Sequence, residues 1–107
     1  MNREIKFRGK SINSGEWVYA ILHGFGMDLF NECVNEDTIG QFTGLHDKNG
    51  KEAYENDLVL VNGQIYEVIY VKGMFAIEIK GCGYVPLKNV IFEIIGNIYD
   101  NKDLLEE

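Results

Sequence analysis

Apolar and polar positions alternate from the start of the chain. In EIKFR, Ile5 and Phe7 fall on one face and Glu4, Lys6 and Arg8 on the other, the period of a half-buried strand. INSG follows as a turn signal. EWVYAIL, rich in aromatic and β-branched residues, predicts a second strand over Glu16 to Leu22, so the two form a hairpin. From Gly24 to Asp37 the alternation breaks: glycines flank Phe25 and the acids arrive without helical spacing, which predicts a loop that could hold one helical turn. TIGQFTG resumes the β-type pattern. DKNGK then supplies an Asx-type turn, with Asn49-Gly50 placed for positive φ, and predicts a reversal over 47–50.

DLVLV, QIYEVIYV and MFAIEI are three strand-like runs separated by Asn62-Gly63 and Lys72-Gly73, dipeptides short enough for tight hairpins; together they predict a three-stranded meander. GYVPL and EIIGNIY add two short runs, and Pro86 marks an edge or a strand end because it has no N–H for the ladder. Only NKDLLEE has a helical character. Short strands every eight to twelve residues with glycine at the corners predict a mainly β protein, a small antiparallel barrel or sandwich without crossover helices. Closure of the sheet would remove the exposed edges that such a meander leaves.

The 107 residues suit one domain over 1–107, with a core large enough to need neither metals nor disulfides. Apolar residues are 46% and charged residues 25%, ordinary globular usage that argues against disorder. No apolar run reaches the roughly 18 residues of a membrane span, and MNREIKFRGK lacks the hydrophobic stretch of a secretory signal. These features suggest a cytoplasmic protein. Two cysteines, Cys33 and Cys82, are too few for a disulfide framework and are expected to be buried free thiols. The net charge of -7 is unevenly spread: Arg3, Lys6, Arg8 and Lys10 against Glu4 give the first ten residues +3, leaving -10 on the remainder. From Ser11 to His46 there is no Lys or Arg, while Glu16, Asp28, Glu32, Glu36 and Asp37 all fall there, so that part should repel phosphate.

REIKFR at the start, GQFTGLHDKNGKEAYENDLV in the middle and EIIGNIYDN near the end, in this order, resemble the YopX family of phage and prophage proteins over nearly the whole chain. Two positions depart from the pattern: Ala53 stands where a larger aliphatic is common, and Asn56 where glycine is common. Asn tolerates the left-handed region better than most residues, so the corner at 54–57 keeps its turn. The resemblance implies an SH3-type barrel or roll of short antiparallel strands with a short C-terminal helical turn, and a family without an assigned activity. Its motif positions here are Phe42, Thr43, Gly44, Leu45, Asp47, Asn49, Gly50, Tyr54 and Asp57, a candidate binding surface; none is a known catalytic residue of the family.

Asp47, Asn49 and Gly50 have the residue types of a calcium loop, but glycine is fourth rather than sixth and strands flank the turn, so a hairpin turn is favoured over a metal site. Glu55 and Asp57, with Asp47, could form a carboxylate cluster for acid/base work; the favoured alternative is that Asp57 accepts hydrogen bonds from the backbone of the corner it follows. His23, Cys33, His46 and Cys82 lack the spacing of a zinc set. Cys82 in KGCGY marks a tight bend more readily than a nucleophile. No metal or cofactor is expected. Phe25, Met27, Leu29 and Phe30 form either a flap over the open end of the barrel or a patch for a protein partner. The expected function is therefore a non-enzymatic accessory protein that binds a protein. The alternative is a nucleic-acid-associated module using the basic N-terminal strand, which the acidic remainder opposes, and a small hydrolase-type enzyme comes third.

Overall fold

The computed structural model describes residues 5–23, 26–28, 30 and 32–105. The chain divides into two compact units, Met1–Gly44 and Leu45–Glu107. Among the described residues no helix is long and apolar enough to cross a membrane.

In the first unit β1 (Ile5–Ser11) pairs antiparallel with β2 (Trp17–His23), which pairs with β3 (Gly26–Asp28); β1 also pairs with β4 (Val34–His46), giving the order β3-β2-β1-β4. The β1–β2 turn is built on Ser11, whose hydroxyl accepts the N–H groups of Asn13 and Ser14 and donates to Glu32 Oε1, while Gly15 takes φ 74°. Between Arg8 and Lys10 the β1–β4 register shifts, because β4 carries extra residues opposite this point. Thr38, buried in that bulge, holds it: its hydroxyl accepts the N–H of Lys10 at 2.8 Å and donates to the carbonyl of Asn35 at 2.6 Å. The expected loop over 24–37 is thus corrected at 26–28 and 34–37, while residues 24, 25, 29 and 31 lie outside the described residues. β3, at three residues, is too short for alternation to reveal, and the start of β4 at Val34 is too irregular.

In the second unit β5 (Glu52–Tyr54) hydrogen-bonds to β4, whose last two residues, Leu45 and His46, belong to this unit. β6 (Asp57–Val61) pairs with β7 (Gln64–Glu67) and with β11 (Glu93–Asn97); β9 (Met74–Ile79) pairs with β8 (Ile69–Val71) and β10 (Gly83–Pro86). Two short 3₁₀ turns, η1 (Leu87–Asn89) and η2 (Lys102–Leu105), complete it. The mainly β, antiparallel class expected from the sequence is what the structure shows, with the C-terminal helical turn in place. The ladders of the described residues form several small sheets without closing into one barrel.

The predicted turns occur where the dipeptides allow them. Val61 pairs with Gln64 across Asn62-Gly63 (φ 51° and 81°), and Val71 with Met74 across Lys72-Gly73 (φ 54° and 78°), so both residues of each hairpin loop are left-handed. The expected meander is corrected at Val68. QIYEVIYV is two strands in two sheets, because Val68 turns its backbone to the 54–57 corner: its carbonyl accepts the Asn56 N–H and its own N–H donates to the Asp57 carbonyl, both at 2.8 Å. Its side chain joins Ala53, Val59, Ile77, Leu87 and Phe92 in the core of the unit. Burial of each Val, Ile or Leu side chain there contributes about 1.5–3 kcal/mol. Neither cysteine is buried, contrary to expectation: Cys33 precedes β4 and Cys82 tips the β9–β10 turn between two left-handed glycines, both exposed and free.

Ala53 and Ile77 are both fully buried. Ile77→Ala should cost about 2–5 kcal/mol through the cavity it leaves, and Ala53→Val should cost about 1–3 kcal/mol through overpacking. Urea unfolding measures both; a neutral Ala53→Val would show that the core has room there.

Candidate functional site

Most of the motif residues are buried. In the first unit Phe42 and Thr43 are buried on β4, and Gly44 (φ 86°) is exposed. In the second, Leu45 packs against the core, Asp47, Tyr54 and Asp57 are buried, and only Asn49 and Gly50 lie open in their turn.

Asp47 makes the turn that its own residue type predicts. One carboxylate oxygen accepts the N–H groups of Asn49 (2.9 Å) and Lys51 (2.8 Å), and the other reaches across 47 positions to the N–H of Ile94 (2.9 Å). The Asp47 carbonyl accepts from Gly50, its N–H donates to the Lys51 carbonyl, and Lys48 donates to the Phe92 carbonyl. One side chain therefore closes a hairpin and fastens it to β11. Burial works against its charge, but the N–H groups of Ile94, Lys51 and Asn49, with the charge of Lys51, outweigh it and hold the carboxyl below its ordinary range.

Asp57 does the same at the next corner, where Oδ2 accepts the Tyr54 N–H at 2.7 Å. Asn56 between them is left-handed (φ 77°); its amide donates to the Tyr99 hydroxyl and its carbonyl accepts the Ile98 N–H. Asn97 caps the turn beyond, accepting from Tyr99 and Asp100. A side chain at Gly96 would collide with Asn101, which accepts the Asn97 N–H. These acids serve backbone geometry. Among the described residues no three His, Cys, Asp or Glu side chains stand together as a metal site.

Two surface features remain. On β1 and β2 the register sets Lys10 opposite Trp17, Arg8 opposite Tyr19 and Lys6 opposite Ile21. The Arg8 guanidinium lies 4.2 Å and the Lys10 ammonium 5.3 Å from the Trp17 ring centre, and Lys6 lies 5.0 Å from that of Phe42. Tyr19 and Ile21 stay exposed on this face. In the second unit Glu67 on β7 is half-buried; burial, then the nearby charge of Glu55, pushes its carboxyl above the ordinary value. Sequence reasoning missed both features, which arise from hairpin register and from packing between sheets. Of the apolar 25–30 segment, Phe25 and Leu29 lie outside the described residues, Met27 pairs with Leu22 in β3, and Phe30 is half-buried.

A sequence model of a known family, described as YopX protein, matches residues 2–106. The chain belongs to the YopX family. Among solved structures it resembles the crystal structure of the protein yopX from Bacillus subtilis at 17% identity, with 100% of this chain and 98% of that chain covered and a TM-score of 0.52. That likeness is one of fold. No curated protein matches the chain significantly.

The two perturbed acids of this YopX-family chain should act on stability in opposite directions. Asp47 has a lowered folded pKa, so its contribution is complete above the unfolded carboxyl range and is lost as pH falls through the folded value. Asp47→Asn, which turns a donor or a weaker acceptor towards Ile94 and the turn, should cost about 1–3 kcal/mol at neutral pH, and the gap should narrow in acid. Glu67 has a raised folded pKa, so its burial is tolerated below the unfolded range and destabilises as pH rises through the folded value. Glu67→Gln should match or exceed the parent at neutral pH and lose any advantage in acid. Urea unfolding across pH checks both signs.

Proposed function

We propose that this YopX-family chain is a phage- or prophage-encoded accessory protein that acts by binding another protein, without chemistry of its own. One observation carries the proposal. The β1–β2 face presents Tyr19 (49% exposed) and Ile21 (36%) beside Trp17 and the cations of β1, and aromatic residues of this kind are where protein interfaces concentrate their binding energy. Arg8 and Lys10 are preset against Trp17, so less side-chain freedom is lost when a partner covers them. The corner acids support the same view, because Asp47 and Asp57 direct their oxygens to backbone N–H groups. On this proposal the two-residue hairpins of the second unit serve as an SH3-like frame. Free Cys33 and Cys82 fit the reducing cytoplasm of a bacterial host.

A second reading draws on the same face, since cations interleaved with aromatics also suit single-stranded nucleic acid. Arg8, however, is 8% exposed and stacked on Trp17, which leaves little guanidinium surface for phosphate.

Affinity capture from host cells separates the two. Wild-type protein should recover a protein partner, and Tyr19→Ala with Ile21→Ser should abolish recovery while leaving the melting temperature within about 2 °C, since exposed substitutions change stability little. Undiminished recovery by that variant would overturn the proposal. Binding of single-stranded DNA tighter than roughly micromolar at physiological salt, steeply salt-dependent and lost in Lys6→Glu with Lys10→Glu, would replace it with the nucleic-acid reading.

A further inference from the structure

The second unit carries a groove of about 240 Å³ between β7, β8, β9 and η2. Among the described residues Ile65, Tyr66, Ile69 and Leu105 make its apolar walls, and the half-buried Glu67 and the exposed Glu78 are its charged lining residues. It is smaller than the roughly 300–1,000 Å³ typical of small-molecule sites. Among the described residues neither the Glu67 nor the Glu78 side chain accepts a hydrogen bond or pairs with a cation. Glu67 lies opposite the fully buried Leu58, and half-burial next to Glu55 leaves its negative charge poorly solvated. A hard metal ion would want more oxygen donors and fewer aliphatic walls. An ammonium or guanidinium on an alkyl stem matches both: the stem covers apolar surface while the head meets carboxylate. The whole chain, at net charge -7, favours approach of a basic partner.

We propose that this groove seats a lysine or arginine side chain from a basic segment of a protein partner, with its stem along Ile65, Ile69 and Leu105 and its charged head between Glu67 and Glu78. The inference rests on the protein-binding reading only in taking the cation from a polypeptide, and it assigns a second contact surface.

The test uses the full chain and a fluorescein-labelled octalysine peptide, read by anisotropy at physiological salt. Wild-type protein should bind, and Glu67→Gln with Glu78→Gln should weaken binding by about tenfold or more, as loss of close charge partners does. Leu105→Ala should weaken it several-fold. Glu16→Gln with Glu36→Gln, the same change of charge at exposed acids of the first unit, should leave it unchanged, with all variants melting near the parent. Equal weakening by the two double variants would show attraction by net charge alone and overturn the proposal, as would no binding by wild type or no effect of the groove variant. Spermine binding as tightly as the peptide, and indifferent to Leu105→Ala, would assign the groove to free polyamines and also overturn it. Failure here leaves the capture experiment on Tyr19 and Ile21 intact, and failure there leaves the peptide titration intact.

Discussion

A single carboxylate joins distant parts of the second unit. Asp47 accepts two N–H groups of its own hairpin and one from Ile94 on β11, and it is buried while doing so. Each bond is a charge-assisted contact to backbone, the kind that is stronger than a neutral pair and expensive to leave unmade. With the hairpin fastened to β11, the β11–β6 ladder and the following corner are placed: Asp57 takes the Tyr54 N–H, and the left-handed Asn56 connects to Val68 and Tyr99. The dense central run of turn formers, aromatics and acids is thus a set of corner fittings for short strands.

On the proposed reading, binding falls to surfaces other than the motif. Buried acids that hold backbone are poor candidates for contact with a partner, whereas the surface offers two chemically different faces. One, on β1 and β2, is aromatic, aliphatic and basic, with its cations laid on rings. The other, in the second unit, is an apolar groove with two acids. Asp47, Asp57 and Asn97 hold the corners of the second unit through hydrogen bonds to backbone N–H groups.

What the sequence revealed was local chemistry. Asp47 to Gly50, Asn62-Gly63 and Lys72-Gly73 could be read as reversals because each turn is decided by two to four adjacent residues. The strands between them followed from alternation, and the family resemblance rested on the same corners. The break at Val68 could not be read, since QIYEVIYV is continuous in pattern and its division depends on partners at Asn56 and Asp57. The Ile94 bond of Asp47 was hidden for the same reason, spanning 47 positions. Stacking of Arg8 on Trp17 required the β1–β2 register, and the proximity of Glu55 to Glu67 required the packed unit. Exposure of Cys33 and Cys82 ran against residue-type preference, because both sit in connections rather than in strands.

The central claim is that the Asp47 carboxylate joins the hairpin to β11, and amide hydrogen exchange at Ile94 tests it most directly. In the parent protein the Ile94 amide should exchange as slowly as its neighbours in β11, and in Asp47→Ala it should exchange orders of magnitude faster relative to the amides of β9, since the loss of one bond opens a local segment before the whole. Equal protection of Ile94 in both proteins, measured against β9, would contradict the account.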